Sequence, residues 1–217
     1  MDLGNLYELI KIRRRGTIIP KELLSFIMLN ILKALKCLHS QNYYHRDIKP
    51  ENILINRYGE VKLSDFGTTK EFIEEQQEVN DLQSKEQGTL AYQSPEVLSY
   101  ESYSLQTDIW SVGITMHLLI TGKHPYNIDE RSTSRNEVYS KIIDQVPPKL
   151  DHSLTSKNEL SKKLCQAINS CIVYDKYKRL TSENLLDQFF GKKYFESTYL
   201  RTSRKKLVKF IQKHKKD

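Results

Sequence analysis

The chain has 217 residues, 38% hydrophobic and 28% charged, with 34 Lys/Arg against 27 Asp/Glu and a formal charge of +7. That composition excludes a disordered chain, and no apolar run approaches the ~18 residues needed to span a bilayer. Residues 1–190 carry 24 basic and 25 acidic side chains, a net of −1, while residues 191–217 carry 10 and 2, a net of +8. The basic excess does not run through the body as it does in a nucleic-acid-binding domain, so no sequence-specific nucleic acid is expected as a partner.

Met1–Ile10 contains Asp2 and Glu8 and no apolar core, the wrong pattern for a signal peptide. From Pro20 to Ser40, Leu24, Ile27, Ile31, Leu35 and Leu38 recur at steps of three and four, which predicts a helix with Pro20 in its first turn. Ile53–Asn56 and Val61–Ser64 flank Arg57-Tyr58-Gly59-Glu60 and read as two short strands joined by a turn. A polar stretch holding Glu71, Glu74, Glu75, Glu78, Asp81 and Glu86 lacks a core-forming stripe and reads as a loop. Thr107–Thr121 is apolar nearly all round, which predicts a buried central helix stopped by Gly122 and Pro125. Further helices are expected around Asn136–Gln145, Lys157–Val173 and Thr181–Gln188. The expected fold class is mostly α with a small β-hairpin. Cys37, Cys165 and Cys171 are odd in number and widely spaced; they read as reduced, buried thiols of an intracellular protein.

Three motifs carry chemistry. His45-Arg46-Asp47-Ile48-Lys49-Pro50-Glu51-Asn52 follows the first predicted helix; Asp65-Phe66-Gly67 ends the second predicted strand; Ser94-Pro95-Glu96 closes the acidic loop. In this order and spacing they match the motif set of protein kinases, and the chain resembles a eukaryotic protein kinase of the Ser/Thr type. Phosphoryl transfer needs an oriented hydroxyl, metal ions on the phosphates and charge neutralisation. By the resemblance, Asp47 accepts or orients the substrate hydroxyl proton, Lys49 sits near the transferred phosphate, and Asn52 and Asp65 offer the hard oxygens that Mg²⁺ prefers. Taken singly, each of these would read as a solvated surface charge; the joint pattern overturns that.

The resemblance implies further roles. Arg46 anchors a phosphate on the activation loop, and His45 and Phe66 belong to a hydrophobic stack. Thr89, in the Gly88–Glu96 docking segment, faces Asp47. Asp108 holds the backbone of the loop around Asp47, and Arg179 pairs with Glu96. Leu54 packs under the adenine ring, while Met1 and Asn5 lie at the hinge, Asn5 near the ribose. ATP and Mg²⁺ are the implied cofactors and a protein the implied substrate. The wording Gly59-Glu-Val-Lys-Leu-Ser-Asp-Phe-Gly and Gly88-Thr-Leu-Ala-Tyr-Gln-Ser-Pro-Glu looks most like the mitogen-activated protein kinase kinases.

The resemblance covers residues 1–190 as a partial protein kinase domain of the α+β kinase-like fold, its C-terminal lobe from hinge to last helix. No two of the eight glycines are separated by a single residue, so no Gly-x-Gly phosphate loop occurs, and no Val-Ala-Ile-Lys strand precedes the loop around Asp47. Two explanations are open: a fragment or gene model begun at an internal Met, or a genuine truncated kinase. The competing function is a catalytically silent binding module.

In many relatives a phosphorylatable residue lies three positions before the Gly of Gly88-Thr89. Here Lys85 stands there and Ser84 beside it is the best phosphosite, ahead of Thr68 and Thr69. A phosphate at Ser84 would pair with Arg46; alternatively, nearby carboxylates serve as constant anions, or the loop is unmodified. Residues 191–217 form a basic C-terminal tail in which Leu200, Leu207, Val208 and Ile211 recur at helical spacing among eight cations. A docking helix for an upstream kinase or acidic partner, a nuclear-import signal in an otherwise cytoplasmic protein, anionic-lipid binding and a plain solvated terminus are its open readings.

Overall fold

The computed structural model describes residues 2–72, 88–101, 103–129, 131–132, 134–146, 149–151 and 159–214. Met1, Ser84 and most of the acidic loop lie outside the described residues. The architecture is mostly helical, with a three-stranded and a two-stranded sheet among the described residues.

The chain opens with β1 (Gly4–Asn5) and α1 (Leu6–Arg14), where Asn5 Oδ1 accepts from the Tyr7 backbone N–H and caps the helix. α2 (Lys21–His39) follows the predicted stripe: Leu24, Ile27, Ile31 and Leu35 are all buried. Cys37 falls off that stripe and is exposed, which corrects the expectation of three buried thiols; Cys165 and Cys171 are buried. After β2 (Tyr43–Tyr44), the strands β3 (Ile53–Ile55) and β4 (Val61–Leu63) form the predicted hairpin. Among the described residues the hairpin becomes a three-stranded sheet of order β1-β3-β4, with Gly4 opposite Ile55 and Asn5 opposite Leu54. β5 (Lys70–Glu71) pairs antiparallel with β2.

The helical body continues with α3 (Pro95–Leu98), α4 (Gln106–Thr121), α5 (Arg135–Ile143), α6 (Glu159–Cys171), α7 (Ser182–Phe189) and α8 (Ser197–His214). Every α4 residue from Thr107 to Ile120 is buried, as its all-round apolar pattern predicts. α4 packs on α6, α2 and α1, while α2 also packs on α7 and α8. α7 starts with a reciprocal cap: Thr181 Oγ1 accepts from the Asn184 N–H, and Asn184 Oδ1 accepts from the Thr181 N–H.

Most of the described part of the basic C-terminal segment is helix α8, and its Leu207 and Ile211 are buried against the body. It also comes close to the β3–β4 turn. Gly59 has φ +74°, and a Cβ there would stand 2.5 Å from the Arg204 carbonyl oxygen, so only glycine lets turn and helix meet so closely. Asn56 ties the same turn: its Oδ1 accepts from the Tyr58 and Glu60 N–H groups and its carbonyl from the Gly59 N–H.

Candidate active site

The loop after β2 places Asp47 in a nearly dry pocket, 6% exposed. Its Oδ1 accepts from the Thr89 N–H and from Thr89 Oγ1, each at 3.0 Å. Its Oδ2 takes Lys49 Nζ at 2.7 Å and Asn52 Nδ2 at 2.9 Å. Lys49 Nζ also donates to Thr89 Oγ1 at 2.8 Å, so Thr89 accepts from the lysine and donates to the aspartate. Three sequence-predicted residues, Thr89, Lys49 and Asn52, thus converge on the carboxylate of a fourth, Asp47. Gly88 makes the approach of the Thr89 segment workable: it has φ +91°, and a Cβ there would meet the Arg46 carbonyl at 2.6 Å.

The loop is held from below by Asp108 of α4. Oδ2 accepts from the His45 N–H at 2.8 Å and Oδ1 from the Arg46 N–H at 2.9 Å. His39, at the end of α2, brings Nε2 within 2.9 Å of the same Oδ2. Arg46 sits at φ +70°, a left-handed conformation unfavourable for a non-glycine residue, and the charged acceptor beneath its amide offsets that strain. Its guanidinium Nε donates to the Thr68 carbonyl and lies over the rings of Tyr44 and Tyr103, 5.7 and 5.9 Å from their centroids. Burial pushes the Tyr103 hydroxyl up to about 12, against the opposing pull of Arg46, so that ring faces the cation as a neutral phenol.

Asn52 and Asp65 are joined through the backbone: the Ser64 N–H and Oγ both donate to the Asn52 carbonyl, at 2.9 and 3.0 Å. Asn52 Nδ2 is committed to Asp47, to its carbonyl as well as its carboxylate. That leaves the amide oxygen as the end of Asn52 that can face a ligand. Asp65 adopts φ 62°, ψ 70° and is exposed. One amide oxygen and one carboxylate form a hard-oxygen pair that fits Mg²⁺ shared with substrate phosphates; such a site draws few ligands from the protein. On the sheet side, Leu54 and Asn5 face each other across β1 and β3.

Glu96 and Arg179 form a buried two-pronged ion pair, at 2.7 and 3.0 Å. Arg179 also donates to the carbonyls of Val173 and Gln106, and Thr107 Oγ1 donates to Glu96 Oε1. Phe66 departs from expectation. Its ring meets His45 at 5.2 Å between centroids, yet the side chain is 53% exposed, because no apolar element among the described residues covers its second face. His45, fully buried, occupies the core as expected.

Sequence reasoning missed Ser64 and His39, which brace Asn52 and Asp108, and it named Thr68 only as a phosphosite, whereas its hydroxyl donates to the His45 carbonyl. Ser64 and Thr68 flank Asp65-Phe66-Gly67 directly, and that adjacency was the available signal. His39 carries no local signal, since its partner is 69 residues away.

Comparison with known proteins agrees with this geometry. The family described as protein kinase domain matches residues 1–191. Mitogen-activated protein kinase kinase 1 of Arabidopsis thaliana is 34% identical over 201 residues, covering 91% of this chain and 53% of that protein. The dual specificity mitogen-activated protein kinase kinase mek-1 of Caenorhabditis elegans is 34% identical over 176 residues, covering 79% and 46%. Serine/threonine-protein kinase ppk11 of Schizosaccharomyces pombe is 34% identical over 197 residues, covering 91% and 58%. The chain spans about half the length of the curated relatives it matches. With the family matched over residues 1–191 and the Asp47, Asp65 and Glu96 motifs in place, the chain belongs to the protein kinase family, of the Ser/Thr type that resembles the mitogen-activated protein kinase kinases.

Proposed function

We propose that this chain is the larger lobe of a protein serine/threonine kinase that transfers the γ-phosphoryl group of ATP to hydroxyls of protein substrates. The observation that carries the reading is the single carboxylate of Asp47 gripped by Thr89, Lys49 and Asn52. Asp47 orients the substrate hydroxyl and receives its proton. The hydroxyl oxygen bonds to the γ-phosphorus as the bond from that phosphorus to the β–γ bridging oxygen breaks, releasing ADP. Lys49 stands beside that oxygen and balances charge on the moving group. Asn52 and Asp65 would hold Mg²⁺, which when bound would neutralise charge on the phosphate oxygens. Leu54 and Asn5 form the floor for the nucleoside. None of Cys37, Cys165 and Cys171 is in a disulfide, which suits a reducing cytoplasmic compartment.

Binding of a fluorescent ATP analogue to the 217-residue chain, with and without Mg²⁺, tests the reading. Mg²⁺ is expected to strengthen binding, Asp65→Asn to remove that gain, and Asp47→Asn to leave binding intact. An Asp65→Asn protein that still responds to Mg²⁺ like the parent would overturn it. The second reading, a silent binding module, draws on the lack of any Gly-x-Gly loop in this chain; it predicts no Mg²⁺-dependent binding at all.

A further inference from the structure

Helix α8 lies beside the β3–β4 turn and leaves a groove of about 730 Å³ between them, within the range of built ligand pockets. Two parallel rows of α8, each with four-residue steps, form one side. Leu200, Arg204 and Val208 make the inner row, and Leu200 and Val208 are half-buried. Arg201, Lys205 and Lys209 make the outer row, and all three are exposed. The opposite face of α8, with Ser203, Leu207 and Ile211, is spent on the core. The far wall is Arg57 and Tyr58, the latter 64% exposed, with the Arg57 guanidinium 5.1 Å from the Tyr58 ring centroid.

No acidic side chain lines the groove, and no carboxylate among the described residues pairs with Arg201, Lys205 or Lys209. Arg204 is turned aside by Glu60, 3.8 Å away. The walls are set by the protein itself, through the Gly59 contact with Arg204 and the Asn56 turn. An apolar floor edged by cations is more than a solvated charged face, which would need neither floor nor wall. Its concavity disfavours a flat bilayer. Rows at i, i+4, i+8 are the ridges that a second helix packs against, and from residue 200 to 208 they run about 12 Å.

We propose that this groove docks an acidic amphipathic helix of a partner protein. The partner's apolar stripe seats on Leu200, Val208 and Tyr58, and its carboxylates face Arg201, Lys205 and Lys209. The docking is independent of phosphoryl transfer, because it uses no residue of the Asp47 cluster.

The test titrates the whole chain into a labelled helical peptide of about 16 residues, built of Glu with Leu at steps of three and four. A scrambled peptide of equal composition and phosphatidylserine vesicles serve as the other arms. The amphipathic peptide is expected to bind, the scrambled one at least about tenfold more weakly, with binding weakening as salt rises from about 50 to about 300 mM. Lys205→Glu/Lys209→Glu should lose about tenfold or more, while Lys162→Glu/Lys163→Glu on exposed α6 positions should match the parent. Equal binding of both peptides, equal losses in both double variants, vesicle binding alone or no binding overturns the proposal. Should the groove variant fail to fold, hydrogen exchange on the parent decides. Slowed amides at 56–60 and 197–212 on peptide addition support docking, and unchanged exchange there overturns it.

Discussion

Arg179 meets Glu96 across 83 residues of chain, guanidinium fork to carboxylate, with both side chains closed off from solvent. The pair ties the loop before α7 to the start of α3, and the arginine also donates to the Val173, Gln106 and Tyr174 carbonyls. Removing one partner strands the other charge in the core. Arg179→Ala and Glu96→Ala are each expected to destabilise by about 3–5 kcal/mol. The double variant is expected to lose far less than the sum, read by urea unfolding; additive losses would mean that the pair is not coupled.

Asp108→Asn puts an amide where two backbone N–H groups need acceptors. One N–H is left facing a donor in the core, at about 1–3 kcal/mol or more given the lost charge. Exchange of the His45 and Arg46 amides is expected to speed up beyond the global loss of stability. Protection that falls only in step with global stability would argue against a local clamp.

His124 is buried, and desolvation lowers its pKa to about 4 from the ordinary 6.5, with Lys141 and His117 adding to the effect and the bond to the Ala91 carbonyl opposing it. Nε2 faces that carbonyl at 2.8 Å while Nδ1 accepts from the Tyr126 N–H, so the ring is held neutral. The unfolded chain takes up the proton first as pH falls. Stability is therefore intact above pH 6.5 and declines from there toward about 4, by up to about 3 kcal/mol from this group. His117 is lowered in the same direction, by burial. Urea unfolding across this window should show the decline, and His124→Gln should flatten it.

Gly59→Ala puts a methyl against the Arg204 carbonyl at a backbone angle that suits glycine. A loss of roughly 1–3 kcal/mol is expected. Proteolysis should quicken between residues 197 and 214 before it quickens in α4. Uniform loss along the chain would show that the turn does not hold α8.

The 217-residue chain on its own should transfer phosphate at least a hundredfold below the ~1–100 s⁻¹ of ordinary kinases. No Gly-x-Gly loop within it covers the phosphates, and Asp65 stands open to solvent. Radiolabel transfer to a generic substrate checks this; turnover in the ordinary range would contradict it.

What could be read in advance was either contiguous or periodic. The Asp47 and Asp65 motifs are short words whose spacing survives without a fold, and α2 and α4 announce themselves through apolar pattern. α1 is not among the helices expected from the sequence: the resemblance assigns only Met1 and Asn5 to the hinge, and the nine residues of Leu6–Arg14 mix Leu6, Leu9, Ile10 and Ile12 with Lys11, Arg13 and Arg14. β1 is two residues long, and its partner lies some fifty residues away. The spacing of Leu207 and Ile211 marked an apolar face on α8. That the face would be taken up by α2, and Arg204 by the Gly59 turn, depends on contacts more than 140 residues apart in sequence and left no local trace.

The left-handed Arg46 backbone, fastened from beneath by Asp108, bears on timing. A strained loop that orders only when its ligand arrives charges the ordering entropy to binding and weakens it. Here the hydrogen bonds to α4 close when the core closes, so the loop takes its shape during folding. On the function proposed above, a nucleotide or substrate would find the Asp47 carboxylate already aimed, and its binding energy would not be spent on setting the loop.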